Sequence, residues 1–396
     1  MRMPTEVSSE HDRLSGESWP SILLVYLFAV VAGASIGKMI PLISVIAAET
    51  GVRLETASWL ISCISLASIL AGPSGGTMAD RLGDRRMITI GIVIMIAANF
   101  LNWLSRDFIS LLLSRMVEGL GFFLLSLGAT TMMVRTAGPK RRAFAMSLMS
   151  TSVPLGVGLS IALAGQISGV HWRMIFLLHI AILGIMLALV WLSPRWVAPA
   201  GHDQHQQYGW GTVLRAPGLA WLSMGILIAT IAMFGLGALF PTYATQAFGM
   251  TMADTALVGL IAYPASIVGS FIVGFLPSGV TGNRFLLLIM TLLAVSGAAA
   301  FLPVLGIAAS VVLLSLFYIL GGMVGAFGMT RLPGLAPAPS ALGRSTGLYI
   351  LASNFGMLIG APIVFGTYAM GGSTGMICLI ALCAAATLFL WRKIQS

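Results

Sequence analysis

Charge is what this sequence lacks most. Only 8% of its 396 residues are Asp, Glu, Lys or Arg, against roughly 25% in soluble domains. A chain so poor in charge cannot cover a water-facing surface, which excludes a soluble globular protein. Cysteine is scarce too: Cys63, Cys378 and Cys383 all lie in apolar runs, so a disulfide framework and a zinc site have no support. The chain has five histidines. HDQH at 202–205 falls in a polar stretch and is read as a solvated linker, while His171 and His179 are isolated and are read as hydrogen-bonded structural residues. No Ser/His/Asp set or HExxH pattern occurs, so no enzyme, cofactor or metal is expected.

Hydrophobic residues fill the gap, at 58% of the chain with a mean hydropathy of +0.98. Apolar runs of about 20 residues recur, at 21–46, 56–75, 87–104, 108–133, 144–166, 174–193, 218–243, 255–276, 285–302, 308–331, 346–369 and 374–391. Lipid offers the backbone no hydrogen bonds, so each run must be a helix. The first run is too long, and lacks the small-residue cleavage site, for a removable leader. The expectation is an all-α membrane protein of twelve transmembrane helices.

Lys and Arg set its orientation. With the N-terminus in the cytoplasm, sixteen of the 21 basic residues are cytoplasmic, Arg53, Arg106 and Arg173 lie outside, and Lys38 and Arg115 fall within spans. Both termini are then cytoplasmic, in a multi-pass protein of the inner (plasma) membrane. The net charge of +9 becomes a topogenic and lipid-facing feature rather than a nucleic-acid footprint. The expected partners are a small-molecule substrate, membrane lipids and protons, with the chain a monomer.

The longest polar interruption divides the chain into a cytoplasmic tail (1–20), a six-helix half (21–193), a cytoplasmic linker (194–217), a second six-helix half (218–391) and a short tail (392–396). Traces of a repeat support this division. GDRR (83–86) after the second span is echoed by GNR (282–284) after the eighth, and Gly156 and Gly158 by Gly356 and Gly360.

The loop GGTMADRLGDRR carries Gly76, Asp80, Arg81, Gly83, Arg85 and Arg86 in a pattern that resembles the loop signature of the major facilitator superfamily. LLLSRMVEGLG (111–121) resembles that superfamily's fourth-span pattern, and HWRMIF (171–176) its entry to span six. Position 84 is Asp where many members have Arg. The resemblance implies the two-half transporter fold, alternating access, and a loop that latches the cytoplasmic gate. Many proton-driven exporters of the superfamily also carry a Gly-Pro-x-x-Gly-Gly ending in span five. Here Pro154 precedes Gly156 and Gly158 without a Gly-Pro pair. IGKMIPL, SRMVEGLGF and VPLGVG are similar to the cyanate and nitroimidazole transporter branch.

Ionisable residues inside a membrane are costly and mark function by default. At 1.5 Å per residue, Lys38 and Arg115 lie roughly 7 Å, and Glu118 roughly 3 Å, to the outer side of their span centres. Arg115 and Glu118, three apart, share a helix face. The expectation is that Lys38 and Arg115 bind substrate in the central cavity, with neutral groups Tyr263, Tyr318, Tyr349 and Asn354 from the second half, and that Glu118 carries a coupled proton. Such a wall suits a small or amphipathic organic anion, taken up by symport. The alternatives are a proton-coupled drug or metabolite antiporter, or a receptor that binds without transporting.

Overall fold

A computed structural model describes residues 19–74, 78, 82–137, 145–192, 210–276, 282–338 and 341–394. All regular elements among them are helices. Nine are long and apolar enough to cross a membrane, or ten if the bent pair Leu54–Ser62 and Ser65–Ser74 is one span; a shorter apolar helix covers Arg284–Ala299.

In chain order the main helices are α1 (Trp19–Gly37), α2 (Ile43–Thr50), α3 (Leu54–Ala57), α4 (Trp59–Ser62), α5 (Ser65–Ala71), α6 (Asp84–Leu104), α7 (Phe108–Thr136) and α8 (Ser152–His171). They continue as α9 (Met174–Leu192), α10 (Trp210–Leu214), α11 (Pro217–Phe248), α12 (Met252–Phe275), α13 (Asn283–Ala299), α14 (Gly306–Leu335) and α15 (Leu342–Arg392).

The first two apolar runs are broken. Helix α1 stops at Gly37, and Lys38 and Met39 form a turn before the 3-10 helix Ile40–Leu42. Pro41 has no N–H to give, and its ring clashes with the carbonyl four residues back, that of Gly37. In the second run α5 departs from α3–α4 by 49°. Ser58 Oγ donates to the Glu55 carbonyl at 2.7 Å and Ser65 Oγ to the Ser62 carbonyl at 2.8 Å, local bonds that compete with the helical ladder.

The last two expected runs follow one another in α15, which is interrupted at Gly372, whose φ of 53° and ψ of −143° are not helical. A Cβ on Gly375 would sit 2.9 Å from the Thr367 carbonyl. Residues eight apart in a straight helix are about 12 Å apart, so the chain doubles back here, and a glycine takes the positive φ.

Packing follows the repeat. Helix α8 lies on α1 and α11 on α15. Gly156 faces the Val30 carbonyl, and Gly356 faces that of Leu227, so the echoed glycines permit equivalent close approaches. The halves meet where α8 packs on α12 and where α3, α4 and α5 pack on α15.

Candidate functional site

Two sites emerge, one inside the first half and one between the halves. The first is a polar knot inside the first half. Lys38 is 1% exposed, and Arg115 and Glu118 are wholly buried. The Lys38 Nζ donates to Glu118 Oε1 at 2.5 Å, to Asn99 Oδ1 at 2.5 Å and to His179 Nδ1 at 2.8 Å. The Phe176 ring lies 5.2 Å from the same nitrogen. Glu118 Oε2 accepts from Arg115 Nη1 at 2.6 Å and Asn102 Nδ2 at 2.9 Å, and Oε1 also accepts from Asn99 Nδ2 at 3.2 Å. Ser114 Oγ donates to Asn102 Oδ1 at 2.6 Å and so holds that amide in place.

Arg115 has a second task. Its Nε donates to the Leu60 carbonyl at 3.1 Å and its Nη2 to the Ser35 carbonyl at 3.0 Å. Ser35 belongs to the last turn of α1 and Leu60 to the single turn α4, where carbonyls lack an intrahelical partner. The guanidinium therefore caps the two helix breaks. Gly119 brings α7 against the backbone of Ile64 at the second break.

The second site is a cavity of about 680 Å³ between the halves. Its lining includes Val153 and Val157 of α8, Thr230 and Met233 of α11, Ser266 of α12, Ser353 of α15, and the expected Tyr263, Tyr318 and Tyr349. None of the described lining residues is charged. Tyr318 donates to the Met233 carbonyl at 3.1 Å and Tyr349 to the Gly325 carbonyl at 3.2 Å. The Tyr263 and Tyr318 rings lie 4.7 Å apart, packed against Gly237, where a Cβ would overlap both hydroxyls.

The cavity runs from mid-span residues such as Ile36 and Tyr263 to Met146 and Ser147 and to Met329 and Thr330 near Arg331. The opposite end is closed: Ser44 Oγ and Thr242 Oγ1 meet across the halves at 3.1 Å. Phe240, Tyr243, Phe301 and Tyr368 form a cluster at that end of the second half.

The expected wall is thus corrected. Lys38 and Arg115 are not among the described lining residues; their side-chain nitrogens bond to groups inside the first half. Asn354 is half-buried outside the lining. The sequence reading missed Asn99, Asn102 and Ser114, since neutral polar residues carry no signal in an apolar helix unless depth and face are both known. His179 meets its expectation as a hydrogen-bonded residue, though its partner is Lys38.

The loop signature is partly outside the described residues, where Gly76, Asp80 and Arg81 fall. Gly83 has a φ of 75° and stands at the N-cap of α6. Arg85 Nη2 donates to the Val190 carbonyl at 2.7 Å and the Trp191 carbonyl at 3.4 Å, a cation at the C-terminal end of α9. Arg86 is exposed. Asp84 is buried and accepts from Thr131 Oγ1 at 2.7 Å, so the residue at the departing position ties α6 to α7. Thr251 caps α12, its hydroxyl accepting from the Asp254 N–H at 3.2 Å. Among the described residues no group of His, Cys, Asp and Glu could hold a metal.

Known proteins agree with this architecture. The chain is 26% identical to multidrug resistance protein 1 of Bacillus subtilis over 271 residues, covering 67% of this chain and 66% of that one. It is 26% identical to the quinolone resistance protein NorA of Staphylococcus aureus over 155 residues, 39% of each. Two solved structures of a bacterial homologue of the human lysosomal transporter Spinster, inward-facing unoccupied and inward-facing occupied, superpose with TM-scores of 0.74 and 0.76. Each is 17% identical and is matched over 95% of this chain and 97% and 98% of theirs. The family pattern of the Major Facilitator Superfamily matches residues 23–361; the chain belongs to that superfamily and is a multi-pass membrane protein.

Proposed function

We propose that this transporter carries an uncharged, apolar or aromatic solute through the cavity between its halves by alternating access. The observation behind this reading is that the described lining, rich in Met, Tyr, Ser and Thr, carries no charge. An organic anion would leave its hydration shell there without gaining a cation, at a cost of several kcal/mol. Apolar walls with a few convergent hydroxyls are the usual make-up of a pocket for a drug-sized molecule. Tyr263, Tyr318 and Tyr349 are the proposed contacts, the rings giving area and the hydroxyls orientation. The drug-resistance relatives favour export over the uptake of an anion; the coupling ion in this reading is the proton.

The proposal includes twelve crossings: the nine long helices, the bent pair, Arg284–Ala299, and a second crossing gained where α15 doubles back at Gly372. The excess of Lys and Arg supports an orientation with both termini on the cytoplasmic side of an inner (plasma) membrane. The cavity then opens inward, and the Ser44–Thr242 end is the closed outer gate.

A ligand panel tests the substrate class. Purified protein is titrated with organic acids, organic cations and neutral aromatics, with intrinsic tryptophan fluorescence as the readout. Saturable binding of neutral aromatics with affinity at least tenfold above the acids is expected. Preference for the acids would overturn the reading.

A further inference from the structure

The buried knot contains two cations for one anion, and of its three charged members only Lys38 can give up a proton without breaking it. We propose that Lys38 and His179 together form the site that binds and releases the coupled proton, with Glu118 a permanent carboxylate and Arg115 a permanent cation. The inference rests on the transporter reading above, and it replaces Glu118 as the proton carrier.

The geometry excludes the other members in turn. Both oxygens of Glu118 accept two donors each: Lys38 and Asn99 at Oε1, Arg115 and Asn102 at Oε2. Protonating either oxygen would set its new hydrogen against these donors. Arg115 does not deprotonate in proteins, and it also holds the carbonyls of Leu60 and Ser35.

Lys38 differs. Its three protons point at Glu118, Asn99 and His179. The groups that face it are Arg115 and Glu118 from α7, His179 from α9, and Asn99 from α6; the second run adds the buried thiol of Cys63 near Arg115 and Glu118. With Lys38 charged, the wholly buried set carries one excess positive charge. Loss of one proton makes it neutral, and an uncompensated buried charge is what a dry interior resists.

His179 supplies the route. Its Nδ1 accepts from Lys38, so its proton sits on Nε2. A proton passes from Lys38 Nζ to Nδ1, giving a neutral amine and an imidazolium. The Nε2 proton then leaves to water admitted when the half opens, and the ring remains as the Nδ1–H tautomer donating to the Lys38 lone pair. The first step breaks the Nζ–H bond and forms Nδ1–H, the second breaks Nε2–H and forms an O–H bond on the accepting water, and no electrons change hands. Return of a proton to Nε2 reverses the sequence.

The test counts protons on the purified transporter without substrate. Release is measured with a pH-indicator dye between about pH 6 and about pH 9. Wild type should release one proton more per molecule than Lys38→Met, which removes the excess charge and keeps the apolar stem, and one more than Lys38→Arg, which keeps the charge but cannot release it. Equal release from all three would overturn the proposal, and the two variants guard against one failing to fold. In proteoliposomes loaded with Nile red, a neutral aromatic dye, both variants should lose at least tenfold of the flux driven by a pH gradient and keep downhill exchange. Wild-type gradient-driven flux in either would also overturn it. If wild type fails to move Nile red, the substrate class fails, and the proton count still decides the role of Lys38.

Discussion

In the first half, Lys38, Arg115 and Glu118 direct their hydrogen bonds at one another and at the broken backbone of the first two runs. In the second, Tyr318 and Tyr349 each donate one bond to a main-chain carbonyl and present their rings to the cavity. The two halves repeat each other in helix packing yet divide the labour of polarity: one keeps ionised groups dry, the other turns neutral ones toward the cavity between them. An internal repeat fixes the shape of a transporter half. What each half recognises depends on which side chains stand at matching depths.

The contrast is broken most forcefully at Glu118. Glu118→Gln removes the only anion in the knot and leaves two buried cations unpaired, which should cost about 3–5 kcal/mol. Thermal denaturation of the purified protein should show a far larger fall than for Lys38→Met, in which Arg115 and Glu118 stay matched one to one. Equal falls would mean that the knot is solvated and that the halves do not differ in kind.

Gly237→Ala attacks the other half. The added methyl has no place beside the Tyr263 and Tyr318 hydroxyls, so the tyrosines must move into the cavity. Overpacking of this kind costs about 1–3 kcal/mol. Affinity for a neutral aromatic ligand, read by tryptophan fluorescence, should fall at least tenfold while the proton count is unchanged. A change in proton release here would show the two sites to be one.

Tyr318→Phe sharpens the comparison at smaller scale. It deletes one neutral hydrogen bond, worth about 1 kcal/mol, and keeps the ring. Isothermal titration should show a weakening of about fivefold or less. A loss as large as that for Gly237→Ala would assign the hydroxyl, rather than the cavity's shape, the main part in binding.

The least effect is expected at Arg85, which separates a helix cap from a latch. Arg85→Ala removes the cation at the end of α9 and should cost about 0.3–1 kcal/mol, seen as a small drop in melting temperature with transport nearly unchanged. Transport abolished at unchanged stability would restore the loop arginine to the gate.

The sequence alone determined much of this protein. Its poverty in charge and its recurring apolar runs dictate helices in lipid, because the bilayer leaves the backbone no other partner. The match of Lys38, Arg115 and Glu118 in depth followed from helix rise. The tyrosines of the second half were legible as neutral groups beside a cavity. What the sequence could not decide was rotation. Depth along a helix is a sum over residues, but the direction a side chain faces depends on where the helix breaks and which neighbour lies against it. Pro41 and the serines of the second run interrupt two helices, the freed carbonyls of Ser35 and Leu60 draw Arg115 inward, and Asn99, Asn102 and His179 complete a shell around Lys38. These residues are scattered from position 35 to position 179. Only the folded packing of several helices brings them within hydrogen-bonding distance, and so only the tertiary structure turned the charged layer away from the cavity.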